Sequence, residues 1–404
     1  MALGISEPWD VTRIEFSGEE QRLDIHLDFP RGSKFPCPEC EAACGVYDTQ
    51  EQKWRHLNFF QHTTYLHARH PRVECDTHGV KRVVVPWARP GTGFTLLFEA
   101  LIMVFAKNNM TPTAIARLIG EHDTRIWRVL EYYVDASLAK QDYSEVTRVG
   151  VDETSRAKGH DYVSLFADMD ARRVIFVADG KDNETVKEFK KDLEAHGGET
   201  ENITDFSLDM SKAFVKGITE SFENAHLTFD KFHIIKLMND AVDDVRREEQ
   251  KTKPELKSTR YVWLKNNENL TDKQREVFNG IRLSTLQTAK ALRFRETLQD
   301  LYAQPPEDAE TFLNWWYYWA THSRIPQVIK VAKTIKAHWD GVVRWFQSRL
   351  NNGFMEGINS LVQAAKARAR GYRSTRKMKV TIYLLTGKLD FDLPNVLQPV
   401  THTK

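Results

Sequence analysis

Two pairs of soft metal ligands, Cys37-Pro-Glu-Cys40 and Cys75-Asp-Thr-His78, restrict what the front of this chain can fold into. Each pair keeps two residues between its ligands, and the stretch around them, from Phe35 to Trp87, is rich in Cys, His, Arg and aromatic residues with little helical periodicity. Zn2+ prefers thiolate and imidazole at tetrahedral corners. A closed shell of four side chains leaves no open position for chemistry, so the spacing predicts a structural zinc site held by Cys37, Cys40, Cys75 and His78. A small strand-rich module needs such a staple because its own core is thin. Cys44 lies close enough to the first pair to rival one ligand, but the second Cys-x2-His pair argues for His78. With three of the four cysteines in ligand spacing, a disulfide framework is not expected and a reducing compartment is.

The remaining chain is long enough for more than one core: 404 residues with 41% hydrophobic and 28% charged content. Its net charge of +1 neither demands nor excludes a polyanionic partner, so the distribution of charge matters more than the sum. From Lys366 to Lys379 the sequence reads KARARGYRSTRKMK, without an acid, and offers Lys366, Arg368, Arg370, Arg373, Arg376, Lys377 and Lys379 to phosphates. No apolar run approaches the roughly 18 residues of a membrane span, and MALGISEPWDVTR lacks the basic-then-apolar order of a secretory signal, so a cytoplasmic protein without a membrane role is expected.

Short alternating strands such as RLDIHLDF open the chain. After the cysteine region, Thr111-Pro112 reads as a helix N-cap followed by proline at the first helical position. The segment TAIARLIGEHDTRIWRVLEYYV that follows breaks near Gly120 to Asp123, which predicts two short helices with a tight turn. In a helix-turn-helix reader the second helix would present Thr124, Arg125 and Arg128 to DNA; a plain helical hairpin would show the same apolar pattern. From Thr147 three strand patterns run in succession, then helix, strand, helix, strand, helix, a mixed α/β layer. Beyond about residue 245 every pattern is helical until Leu385. An aromatic run there, Trp315, Trp316, Tyr317, Tyr318 and Trp319, is expected to be mostly core, the other reading being stacking on an unpaired or flipped base.

Three acids stand where metal-dependent phosphodiester chemistry wants them. Asp152 ends the strand TRVGVD, Asp209 ends ITDFSLD just before a helix, and Glu356 lies on a helix where Asn352, Glu356, Asn359 and Gln363 form one polar stripe. Two Mg2+ ions about 3.5 to 4 Å apart activate an attacking hydroxyl and stabilise the departing oxygen, and Mg2+ takes oxygen ligands drawn from separated parts of a chain. Glu153 and Asp205 are the fallback acids, the first on the opposite side of its strand and the second four residues back from the strand end.

The cysteine module, the helix pair, VGVDE, SLDMSKAF, FDKFHIIK and NGFMEGINSLVQAAKARARGYR, in that order, resemble the DDE transposases of bacterial insertion sequences, in particular the ISL-three family. His78 stands where a cysteine is common in that family. The resemblance implies an RNase H-like core interrupted by an all-helical insertion, with Asp152, Asp209 and Glu356 as the acidic triad binding two Mg2+ or Mn2+ ions. It also implies that Asp230 and His233 match a D-x2-H signature that would position DNA or order the active site, the other reading being a helix-capping Asp and a packed His. On the polar stripe, Asn352 and Asn359 are candidate DNA contacts. The domain plan that follows is an arm over 1–33, a zinc ribbon over 34–90, a helix-turn-helix over 91–143, the first part of the core over 144–245, the insertion over 246–340, and the rest of the core with its basic segment over 341–404. The implied partners are double-stranded DNA, as terminal inverted repeats and as target, and a second copy in a synaptic complex on the bacterial nucleoid. A DNA-binding regulator that has lost its chemistry, and an RNase H-like nuclease without strand transfer, are the competing expectations.

Overall fold

The computed structural model describes residues 4–157, 161–265, 267–282, 286–350 and 353–396. The chain divides into two units, Met1–Leu138 with Leu389–Lys404, and Ala139–Lys388.

The first unit is built on a six-stranded sheet. Its strands are β1 (Asp10–Ser17), β2 (Arg22–Asp28), β3 (Lys34–Pro36), β4 (Ala43–Phe59), β5 (His62–Cys75) and β6 (Gly79–Arg82), in the order β1-β2-β5-β4-β3 with β6 on β5. The segment expected as an N-terminal arm therefore supplies a hairpin whose second strand pairs in parallel with β5. Alternation places Trp54 and Leu66 on the inner face, where Trp9, Trp54 and Trp87 meet edge to face at 4.8 and 5.5 Å between ring centroids.

Three helices follow: α1 (Leu96–Lys107), α2 (Pro112–Ile119) and α3 (Asp123–Leu138). The Thr111 hydroxyl accepts from the Ala114 N–H, which caps α2, and Gly120 at φ 72° ends it in a left-handed turn that a side chain would strain. Glu99 is fully buried and ties the bundle together, accepting from Arg89 Nε at 2.9 Å, Thr92 Oγ1 at 2.7 Å and Tyr133 Oη at 2.7 Å. Strand and helix parts of this unit share backbone: the Arg55 N–H donates to the Gly93 carbonyl at 2.8 Å and the Thr95 N–H to the Arg55 carbonyl at 3.0 Å.

The second unit opens with β7 (Arg148–Ala157), β8 (Asp161–Asp168), β9 (Arg173–Asp179), α4 (Asn183–Ala195), β10 (Asp205–Leu208), α5 (Lys212–Ser221), β11 (His226–Phe229) and α6 (Lys231–Glu249). Spatial order is β11-β10-β7-β8-β9, and β8 alone runs against the rest. Numbered within the unit, this is strand order 3-2-1-4-5, the arrangement of an RNase H-like sheet. One face packs on α4 and α5 through Phe166, Phe189 and Phe222; the Phe166 and Phe189 rings stack at 4.5 Å.

The chain then leaves the sheet for α7 (Arg260–Leu264), α8 (Asp272–Arg282), α9 (Gln287–Leu301), α10 (Pro306–Thr321) and α11 (Pro326–Ala337). This insert is anchored to the core by α6, along which α9 and α11 pack. Glu249 at the end of α6 caps α9, accepting from the backbone N–H groups of Gln287 and Thr288, both at 2.8 Å. The chain returns through α12 (Trp339–Ser348), α13 (Gly353–Arg368) and α14 (Thr375–Thr386). Gly341 lets α12 lie against β11, since a Cβ there would meet the Phe229 ring at 2.4 Å. Among the described residues no helix is long and apolar enough to cross a membrane.

Candidate functional site

The β3–β4 turn carries Cys37 and Cys40, and the turn from β5 to β6 carries Cys75 and His78. Their donor atoms all lie within 4.8 Å of one another. Ligands about 2.3 Å from an ion at tetrahedral corners sit roughly 3.7 Å apart. The distances found are 3.6 Å from Cys40 Sγ to Cys75 Sγ, 3.6 Å from Cys75 Sγ to His78 Nδ1 and 3.8 Å from Cys37 Sγ to His78 Nδ1. The donor set and its spacing fit zinc. Backbone N–H groups of Thr77 and His78 pull the Cys75 thiol down to about 6, which favours the thiolate a metal needs. Cys44 turns its sulfur to the Ala42 carbonyl and stands outside the group. Glu39 lies 3.6 Å from His78 Nε2 and 2.6 Å from Lys81 Nζ, so it orients the ring that presents Nδ1 inward.

In the second unit, the strand register sets the acids in a row. Ser207 pairs with Gly150 between the parallel strands β10 and β7, and Leu208 pairs with Phe229 between β10 and β11. Carrying the first register on by two residues sets Asp209 beside Asp152, and carrying the second on by one sets Asp209 beside Asp230. The Asp230 N–H donates to the Leu208 carbonyl at 3.3 Å, which continues the ladder. Neighbouring strands are about 4.8 Å apart and residues in register share a face, so three aspartates line one side of the sheet. Asp230 is only 1% exposed. Burial pushes the Asp152 carboxyl above the usual carboxylate range; Asp209 and Asp230 push the same way, against the Glu153 N–H and His233. Such crowding of negative charge, half-buried, suits a cation. Asp209 Oδ1 accepts from the Ser211 N–H at 2.9 Å, which turns the chain into α5.

Helix α13 crosses this face beside β7. Met355 packs over Gly150, where a Cβ would stand 3.2 Å from its Cγ, and Asn359 Nδ2 donates to Asp152 Oδ2 at 2.6 Å. One turn further on, Gln363 Nε2 donates to Thr154 Oγ1 at 2.7 Å, and Lys366 Nζ to the Ser155 carbonyl at 2.6 Å. Half of the polar stripe thus grips β7, which does not end at Asp152 as expected but runs on to Ala157, because Thr154 and Ser155 continue the antiparallel pairing with β8. Glu356 sits three residues before Asn359, one turn along the same helix, and is exposed. The structure does not gather all three acids round one point: among the described residues, Cys37, Cys40, Cys75 and His78 form the one group of three or more donors close enough to share an ion. Asn352 lies outside the described residues. Of the fallback acids, Asp205 is taken by Arg344 at 2.9 Å at the far end of β10, and Glu153 faces Lys181 at 3.4 Å.

A family model described as a transposase matches residues 149–382, more than half of the chain. The chain belongs to the ISL3 family of transposases. Two further models match the first unit, a helix-turn-helix domain of transposase family ISL3 over residues 83–134 and a zinc-finger of the IS204, IS1001, IS1096 and IS1165 transposases over 33–78. The chain is 27% identical to the transposase for insertion sequence element IS1557 of Mycobacterium tuberculosis, covering 95% of this chain and 94% of that protein. It is 26% identical to the transposase for IS1001 of Bordetella parapertussis, covering 92% and 94%. An inactive regulator is not favoured.

The transposase therefore binds DNA and is an enzyme of DNA cleavage and strand transfer. On its helix-turn-helix, Thr124 and Arg128 are exposed, whereas Arg125 is turned to its own unit, with Nη1 2.5 Å from Glu121 Oε2 and its guanidinium 3.9 Å from the Phe94 ring centre. In the basic segment, Arg368, Arg370, Arg373 and Arg376 are exposed and Lys377 is half-buried, while Lys379 pairs with Asp179 at 3.1 Å. Sequence reasoning missed Glu39 and the hydrogen bond from Asn359, a candidate DNA contact, to Asp152. Glu39 could have been suspected from its place beside Cys40; nothing in the sequence says what faces Asn359.

Proposed function

We propose that this transposase cuts and rejoins DNA at the terminal inverted repeats of an insertion sequence with Asp152, Asp209 and Glu356 as its catalytic carboxylates. These side chains would hold two Mg2+ or Mn2+ ions, with Asp230, between β11 and α6, and His233, in the first turn of α6, supporting them. The ions, when bound, would activate the attacking hydroxyl and stabilise the leaving oxygen of the phosphodiester. The observation that carries the reading is the row of Asp152, Asp209 and Asp230 set by the β7-β10-β11 register, with the Glu356 helix bonded to Asp152.

The chain's own residues supply position. Asn359 holds one oxygen of Asp152 and the Glu153 N–H holds the other at 2.8 Å, so the carboxylate is fixed before any ion arrives. His233, one turn into α6, offsets the negative charge of the row. The exposed arginines after α13 would hold the phosphate backbone beside the acids, and the helix-turn-helix with Thr124 and Arg128 would read the ends. Two ends brought together call for at least two copies of the chain, acting on the nucleoid.

Asp152→Asn and Glu356→Gln should each bind end DNA as the wild type does, in a gel-shift assay, while metal-dependent cleavage falls by more than about a hundredfold, beyond the 10–100-fold of residues that only support a metal ligand. Unimpaired cleavage by either variant would refute the assignment.

A further inference from the structure

The helical insert exposes aromatic surface that the zinc ribbon, the helix-turn-helix and the acids do not use. The run on α10 is expected to be core, yet among its three tryptophans only Trp316 is, at 1% exposure, with its indole N–H donating to the Phe294 carbonyl at 2.9 Å. Trp315 and Trp319 are 52% and 51% exposed. Four residues apart, they share one face of α10 a single turn from each other. With Trp316, and with Lys290, Arg293 and Phe294 of α9, they line an open cavity of about 300 Å³. Lys290 Nζ is anchored on the Ser323 carbonyl at 2.7 Å, while Arg293 is exposed. The lining includes two cations and no acid.

We propose that this cavity binds an unpaired DNA base, with Trp315 and Trp319 stacking on its faces and Arg293 meeting its phosphate. Indole faces stack on any base, and a guanidinium forks onto phosphate oxygens, so the lining matches a nucleotide and is indifferent to its sequence. The volume lies at the small end of the ~300–1,000 Å³ that organic ligands occupy, which suits one base better than a helix or a strand. The positive rim disfavours a second basic surface. The inference rests on DNA as the substrate, and cutting DNA supplies the ligand, because a base beside a strand break has lost one stacking partner and is cheapest to unpair. The insert is also well placed to feel the reaction: α9 packs along α6, whose first turn holds His233 just after Asp230.

The test compares two duplexes of native end sequence, one fully paired and one with its last three bases mismatched, bound to the full-length protein in magnesium-free buffer. The Trp315→Ala/Trp319→Ala variant should lose about tenfold in affinity for the mismatched end and under about twofold for the paired one, a difference within the range of base stacking. Trp315→Phe/Trp319→Phe should bind both as the wild type does, since it keeps two aromatic faces. A 2-aminopurine at the terminal position should be quenched by the wild type and not by the alanine variant. Equal losses on both duplexes, or none, would overturn the proposal. So would a change from dimer to monomer in light scattering with the mismatched-end affinity intact, which would give this face to a second copy of the chain. Cleavage is not measured, so failure of the carboxylate assignment would leave this result untouched.

Discussion

Gly150 shows how one missing side chain sets the distance between a strand and the helix that carries an acid. A Cβ there would meet Met169 Sδ at 2.4 Å and Met355 at 3.2 Å, and Met355 is the residue before Glu356. Gly150→Val should therefore lift α13 from β7, cost about 1–3 kcal/mol of stability as an overpacked core does, and lower cleavage by roughly a hundredfold, the effect of a displacement near 1 Å at a reacting centre. Thermal melting and a cleavage assay check the two parts separately. Asp152 carries a second expectation. Its folded carboxyl titrates above the unfolded one, so the folded state holds the proton more tightly and stability falls as pH rises through that range. At neutral pH the charge is a liability until a cation offsets it. Asp152→Asn should raise Tm in metal-free buffer by about 2–4 °C for each kcal/mol relieved, and Mg2+ should raise the Tm of the wild type while moving that of the variant much less. Equal responses to Mg2+ would remove Asp152 from the metal site. The sequence made Asp152 and Asp209 readable because each follows an apolar strand stretch, although only Asp209 stands at a strand end, β7 running on past Asp152 to Ala157. It could not show that Asp230 joins their row, since that follows from the pairing of β10 with β11, a contact between segments about twenty residues apart.

At the scale of elements, the zinc ribbon and the helix-turn-helix are joined closely enough that damage to one should reach the other. Arg55 on β4 exchanges backbone hydrogen bonds with Gly93 and Thr95, and Thr95 caps α1. Glu121, in the turn between α2 and α3, lies 4.0 Å from the buried Arg55 side chain and bonds Arg125. Cys75→Ser should abolish zinc binding and, through this connection, weaken binding to element ends by more than tenfold, within the ~10–16 kcal/mol that structural zinc sites contribute to folding. Zinc content by mass spectrometry and end binding by gel shift would check it; a variant without zinc that binds ends normally would separate the two modules. The helix pair was legible because its stop signals are local: Thr111-Pro112 starts α2 and Gly120 ends it. The aromatic run was less so. Five consecutive aromatics must point all round a helix, and only its neighbours decide which side is covered, so the structure buries Trp316 on α9 and leaves Trp315 and Trp319 open.

Across the whole molecule a net charge of +1 cannot attract DNA by itself, so binding must come from places where cations are concentrated and unpaired with acids. The two units offer different kinds. Arg128 is exposed on α3, on a helix pair of the type that reads base edges, whereas Arg373 is exposed between α13 and α14, next to the helix that carries Glu356. Lys366 and Lys379, although in the same basic run, already bond the Ser155 carbonyl and Asp179, so their removal would disturb the core as well as any contact with DNA. This separates what each arginine should do. Arg373→Ala should weaken binding to end DNA and to random DNA alike and reduce the slope of log K against log salt by about one, the signature of one lost phosphate contact. Arg128→Ala should weaken binding to ends more than to random DNA, by the ~1–3 kcal/mol of a base contact, and so narrow the preference between them. Titrations of both DNAs at several salt concentrations give affinity, slope and preference together. If Arg373→Ala narrowed the preference while Arg128→Ala left it unchanged, sequence reading would belong to the second unit, and the helix-turn-helix would serve only to hold the DNA backbone.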